Sequence, residues 1–270
     1  MKTPKIITVE DAIHLVKDND VIVFAMAAAE PKAFIQQLHK ISDRVKNVRI
    51  TNCLPIENGE FFVNPEYKNT FSIDSWFYAA SLRKAHDHGH ISYIPNHLHL
   101  AGKKRLEHVK TSIFVGTSSL PNKHGYVSLS LSNVYEKDAI KDADLVILEI
   151  NPHMPRTFGD LELHISEADY LIEVNYKAPE LADTEPNEKD MAIGKLIAAK
   201  IKDGSTMQCG IGGIPNAVVK LLMDKKDLGI HTEMFTTGLM KLVKAGAATG
   251  MKKNTHIGKH VCCFAMGTQE

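Results

Sequence analysis

The chain has 270 residues, enough for one large or two modest domains, and its 44% hydrophobic and 24% charged content is ordinary for a globular protein. Basic and acidic residues balance at 32 each, which leaves no electrostatic footprint for nucleic acid and no polybasic patch for a membrane surface. No apolar run approaches the roughly 20 residues of a membrane-spanning helix, and the start, MKTPKIITVEDAIHLVKDND, carries acids and no long apolar core. No signal peptide is expected, and the cytoplasm is the expected compartment.

The first elements alternate in type. Thr8, with Asp11 three residues on, predicts a capped helix whose apolar face is Ala12, Leu15 and Val16. Residues 20–26 are a continuous apolar run of strand length, as in a sheet buried on both faces. A small-residue turn at 27–29 and Pro31 predict a helix carrying Phe34, Ile35 and Leu38, and residues 47–54 a second strand. This order predicts an α/β fold, with helices flanking an open, mostly parallel sheet.

Residues 55–70 read as a loop or irregular insertion, and 75–86 as a helix with Trp76, Ala79, Ala80 and Leu82 inward. Residues 91–94 are a short strand ended by Pro95, and 112–116 another strand. The stretch PNKHGYVSL (121–129) predicts a turn into a strand, 133–143 a helix, and DLVILEI (144–150) a buried strand. Residues 178–188, APELADTEPNE, are rich in Pro, Asp and Glu and make the best linker candidate. Two domains are therefore expected, 1–186 and 187–270, the second opening with a helix at 190–201 that Gly204 stops.

The chemistry is concentrated in the second domain. Residues 206–209 are a short extended run, followed by Gly210, Gly212 and Gly213. Pro215 then opens an amphipathic run over 217–223, as suits a first helical position. A glycine loop feeding a helix N-terminus favours negative charge, and its backbone admits close approach by a ligand. Residues 228–230 read as a second strand, with His231, Thr232 and Glu233 at its end. A carboxylate placed there, beside a glycine loop, is a candidate reacting group.

The segments QCGIGGIP (208–215) and LGIHTEMF (228–235), with 25 residues from Gln208 to Glu233, resemble the 4-hydroxybutyrate, butyrate and acetate CoA-transferase and acetyl-CoA hydrolase family. The loop NPHMPRTFGD (151–160) is similar to that family's N-P-x-M-P-R-T-x-G, and NKHGY (122–126) to its D-K-H-G-Y, with Asn122 in place of the usual Asp. The resemblance runs the length of the chain, and family members continue beyond it. It implies two similar α/β CoA-transferase domains, the second incomplete here, so that the chain is the front portion of such an enzyme.

The resemblance further implies that Glu233 is the nucleophile, attacking an acyl-CoA carbonyl directly and passing through an anhydride to a glutamyl-CoA thioester. Gly210, Ile211, Gly212, Gly213 and Ile214 would bind CoA and steady the oxyanion, with Gln208 adding a hydrogen bond. It implies coenzyme A as substrate with no permanently bound cofactor, a small carboxylic acid as the other substrate, and a homodimer. Water could resolve the same intermediate, giving a thioester hydrolase, and a truncated chain could be inactive. Thr236 and Thr237 depart from the family's usual Ser-Asp.

Three further groups leave two readings each. Arg156 either ties its loop to the domain core or a partner subunit, or contacts substrate. His86, His88, His90, His97 and His99 have ligand-like spacing, but a Gly-containing turn holds the first three and the family binds no metal there, so no metal is expected. The four cysteines, with no C-x-x-C pair, are expected to be small buried thiols, although Cys209 beside the glycine loop could be reactive.

Overall fold

Strands buried on both faces read as unbroken apolar runs, and such runs form the middle of the larger sheet. The computed structural model describes residues 2–270, and the chain divides into two compact units, Met1–Ala178 and Pro179–Glu270. In the first, β1 (Lys5–Ile6) precedes α1 (Val9–His14), β2 (Val21–Phe24), α2 (Lys32–Gln37), β3 (Val48–Asn52), α3 (Glu60–Val63), β4 (Phe71–Ser75), α4 (Ala80–Lys84) and β5 (Ile91–Tyr93). There follow α5 (Ala101–Leu106), β6 (Ile113–Ser118), β7 (Tyr126–Ser128), α6 (Glu136–Asp142), β8 (Leu145–Ile150), β9 (Glu162–His164) and β10 (Tyr170–Glu173). Eight strands form one sheet in the order β1-β10-β8-β6-β2-β3-β4-β5. Every neighbouring pair is parallel. β7 and β9 form a separate antiparallel ribbon.

Side chains alternate across that sheet, as the pleat requires. Ile22 and Phe24 of β2, Val48 and Ile50 of β3, and Ile113 and Val115 of β6 share one core with Ile13 of α1, Phe34 of α2, Phe61 of α3 and Leu82 of α4. On the other face, Arg105 of α5 donates to Thr51 Oγ1 at 3.1 Å. Tyr135, just before α6, donates to the Phe24 carbonyl at 2.8 Å and packs edge-on against Trp76. Both faces are thus covered by helices, the condition under which an all-parallel sheet is stable. Thr8 forms the expected capping box with Asp11. α2 has no local side-chain cap; instead Glu149, from β8, accepts from Phe34 N at 2.7 Å and Ala33 N at 3.3 Å, pairing two of the amides that a helix start leaves open.

Several elements differ from the expectations. β4 takes the first residue of the stretch 75–86 read as a helix, and only Ala80–Lys84 is α-helical there, with a short 3-10 turn from His86. The alternation of Phe71, Ile73 and Ser75, all buried, is the strand signal. The insertion at 55–70 contains α3, which buries Phe61 and Phe62. Cys53 is buried, but Cys262 and Cys263 are both exposed, which corrects the reading of four buried thiols.

The second unit contains α7 (Glu188–Ala198), β11 (Thr206–Met207), α8 (Gly213–Lys220), β12 (Gly229–Phe235), α9 (Thr237–Lys244) and β13 (Val261–Ala265). Its sheet runs β11-β12-β13, again parallel. The core holds Ala198, Val218, Val219, Leu222, Ile230, Leu239 and Leu242, so α7, α8 and α9 all contribute to it. The acid- and proline-rich stretch is tied into this unit. Leu181 N donates to the Gly267 carbonyl at 2.7 Å, Asn216 Nδ2 to that of Thr184 at 2.8 Å, and Lys220 meets Glu185 at 2.6 Å.

Asn187 caps α7 through a capping box with Asp190. α7 and α8 pack so closely that a Cβ on Gly194 would lie 2.8 Å from that of Ala217. Gly194→Val is therefore expected to cost about 1–3 kcal/mol, the usual penalty for overpacking. It should appear as a lower urea midpoint at unchanged slope.

Candidate active site

The site residues proposed from sequence all lie on or beside β11 and β12. Met207 pairs with Ile230, and the chain then leaves β11 as Gln208 and Cys209. Thr232 Oγ1 accepts from Cys209 N at 3.2 Å and donates to Cys209 O at 3.1 Å. One hydroxyl thus holds the root of the glycine loop against the residue preceding Glu233. Thr232→Val removes both bonds and leaves two backbone groups unpaired. We expect a loss of about 1–3 kcal/mol in stability, measured by chemical denaturation.

β12 is longer than the sequence suggested. It runs to Phe235, so Glu233 stands inside the strand and not past its end. Ile230, Thr232 and Met234 are buried, whereas His231 and Glu233 are exposed. The period of two places Glu233 and His231 on the face opposite the core. Gln208 is exposed as well. On β13, Thr232 pairs with Cys262 and Met234 with Phe264, which sets Cys263 level with Glu233. Partial desolvation, and behind it the Glu233 charge, pushes the Cys263 thiol up. Among the described residues the Glu233 side chain makes no hydrogen bond or ion pair.

The glycine loop presents a row of free donors. The N–H groups of residues 210–214 make no hydrogen bond among the described residues. Gly212 is the N-cap of α8 at φ +110°, a backbone conformation that L side chains rarely adopt. A Cβ there would meet nothing within 4 Å, so its outer side is open. At Gly213 a Cβ would lie 2.1 Å from Asp190 Oδ2, the carboxylate of the α7 capping box. One glycine supplies the turn and the next the close helix approach. Pro215 is the third residue of α8 rather than the first; its missing N–H costs nothing there, because the first four helical amides have no intrahelical partner.

Other candidates resolve into supporting roles. Burial pushes the Cys209 thiol up, which disfavours the thiolate. Arg156 pairs with Glu162 at 2.9 Å and donates to the Tyr126 carbonyl at 2.5 Å, tying its loop to the NKHGY turn within the first unit. Thr236 caps α9, accepting from Leu239 N, and Thr237 Oγ1 accepts from Thr268 N at 2.8 Å. Among the described residues no three His, Cys, Asp or Glu side chains converge on a metal-sized site. Sequence reasoning named Thr232 only as part of the LGIHTEMF stretch and missed its role in holding the loop, and it missed Lys253. That lysine is 4% exposed and donates to the carbonyls of Ile230 and Lys259 at 3.1 and 2.8 Å, bracing β12 from within. It was indistinguishable from its neighbours in the basic stretch MKKNTHIGKH.

Residues 2–181 match the sequence profile of the acetyl-CoA hydrolase/transferase N-terminal domain. The chain belongs to the acetyl-CoA hydrolase/transferase family. It is 37% identical over 270 residues to a 4-hydroxybutyrate coenzyme A transferase of Clostridium kluyveri, covering 98% of this chain and 62% of that protein. It is 34% identical over 269 residues to a succinyl-CoA:cyclohexane-1-carboxylate CoA transferase of Geobacter metallireducens, covering 98% and 60%. The crystal structure of RipA from Yersinia pestis superposes with a TM-score of 0.93 at 30% identity, over 98% of this chain and 64% of that one. This family member therefore spans about three fifths of the length of the relatives it matches.

Proposed function

We propose that the protein is a CoA-transferase that moves CoA between an acyl-CoA and a small carboxylic acid, with Glu233 as the nucleophile. The observation that carries this reading is the free Glu233 carboxylate, on the strand whose Thr232 pins the root of a loop of five unpaired amides. The two named transferases add support, since each is named for a reaction that places CoA on a carboxylic acid. The preferred acid here is proposed to be a short one, such as 4-hydroxybutyrate, butyrate or acetate.

The chemistry follows from a carboxylate on the strand that holds a bed of donors. A Glu233 oxygen bonds to the thioester carbonyl carbon; the C–S bond breaks and CoA leaves as thiolate, giving an acyl-glutamyl anhydride. The thiolate then attacks the glutamyl carbonyl, the original acid leaves as carboxylate, and a glutamyl-CoA thioester remains. An incoming carboxylate runs the same steps in reverse. Each carbonyl passes through a tetrahedral oxyanion, which the amides of residues 210–214 and the Gln208 side chain would stabilise. The same loop would hold CoA, its amides and helix N-terminus suiting phosphate oxygens. A homodimer belongs to this reading on the family resemblance alone.

Exposure of Glu233 to solvent favours one second reading, hydrolysis of the glutamyl thioester by water. An exchange assay separates the two. The chain is incubated with acetyl-CoA and deuterated butyrate, and acyl-CoA products and free thiol are followed together. Labelled butyryl-CoA without net thiol release is the expected result. Thiol release without exchange assigns a hydrolase, and neither product contradicts the proposal.

A further inference from the structure

We propose that an open cavity of about 600 Å3 in the first unit, between the 55–58 loop, α3 and α4, binds a small organic anion with a short apolar body. Its volume lies within the range of ordinary ligand pockets, roughly 300–1,000 Å3. It involves none of the residues assigned above to CoA transfer.

Four polar side chains line it, and each brings a donor. Ser81 Oγ is buried and has no hydrogen-bond partner. An unpaired buried hydroxyl is unfavourable, and a ligand acceptor would supply the missing bond. Lys84 makes no ion pair among the described residues, so its ammonium is uncommitted. His88 has Nδ1 3.4 Å from the Phe62 carbonyl and its ring stacked on that of His90, leaving Nε2 unpaired. The Asn58 amide completes the set, and no carboxylate lines the cavity. A cation, an imidazole, a hydroxyl and an amide around one space select an anion.

The rest of the wall is apolar. Pro55, Ile56, Val63, Ala80 and Ala85 also line the cavity, so the occupant carries a hydrocarbon body on its anionic head. The loop that forms this wall is preformed. Its Ile56 and Glu57 amides donate to a carboxyl oxygen of the buried Glu30 at 2.8 and 3.0 Å, which holds the site in place before any ligand arrives.

The test is a titration of the isotopically labelled full chain, followed by amide chemical shifts, with hexanoate, hexyl phosphate and hexylamine as probes. Saturable shifts at Asn58, Val63, Ser81, Lys84 and His88 are expected with one or both anions, and the anion that saturates first identifies the head group. Lys84→Gln should weaken binding at least fivefold and Ser81→Ala at least twofold, with the remaining spectrum showing an intact fold. Glu233→Gln should leave this binding unchanged, so the outcome does not depend on the transferase reading. The proposal is overturned if neither anion gives saturable shifts, if hexylamine shifts the same residues at the same concentration, or if Lys84→Gln leaves the midpoint unaltered.

Discussion

Glu233→Gln is expected to abolish CoA exchange, lowering the rate on the order of 10⁴-fold or more, as loss of a covalent nucleophile does elsewhere. A neutral amide cannot attack a thioester at a useful rate, and no neighbouring group replaces it. Cys263 is level with Glu233 on β13, but its thiol is pushed up and stays protonated. The same substitution should leave stability within about 0.5 kcal/mol, because Glu233 is exposed and without a hydrogen bond or ion pair among the described residues. Gln208→Ala should be milder, about 10²–10³-fold, the scale of one lost oxyanion donor. Exchange by Glu233→Gln within tenfold of the parent rate would remove Glu233 from the mechanism.

The second large effect is on stability against pH. Burial pushes Glu30 from an ordinary 4.5 up to about 8, against the Glu57 and Ile56 amide bonds that lower it. Burial likewise raises Glu149 to about 7, against the bonds from Tyr176, Phe34 and Ala33. The folded chain therefore holds protons that the unfolded chain releases near pH 4.5. Stability from these groups is full below pH 4.5 and is lost as pH rises through 7 and 8. His90 and His260, both depressed by burial, act in the opposite sense, but only as pH falls below about 6.5. The clean window is pH 6.5 to 8, where urea denaturation should show a loss of about 2–3 kcal/mol. Glu30→Gln keeps an acceptor for the two loop amides and should flatten most of that slope. Stability that rises with pH across the window would contradict these protonation states.

Much of this was legible because burial leaves a simple trace. β2 and β8 appear as apolar runs since the sheet is covered on both faces. The Thr8 box and the glycine loop follow from residue types with few other uses. The failures also have physical causes. Trp76, Ala79, Ala80 and Leu82 have helical spacing, yet Trp76 packs on Tyr135 beyond the end of β4 and only the later residues coil. His231 and Glu233 looked like the close of a strand because they are polar; they are the solvent-facing half of a longer one. Cys262 and Cys263 read as core because they stand in an apolar run, but both are exposed on β13. The role of Thr232 was invisible, since it is a tertiary pair of hydrogen bonds with Cys209, 23 residues away. Buried acids such as Glu30 and Glu149 also leave no sequence mark, because the amides that receive them come from other elements.

The central claim is that an acyl-CoA forms a covalent bond with one side chain of β12. The direct measurement is to mix the full chain with butyryl-CoA, reduce with borohydride, and map peptides by mass spectrometry. A glutamyl thioester is reduced to an alcohol, so the peptide containing Glu233 should lose one oxygen and gain two hydrogens, and only when butyryl-CoA is present. An unmodified Glu233, or reduction at a different carboxylate, would contradict the account.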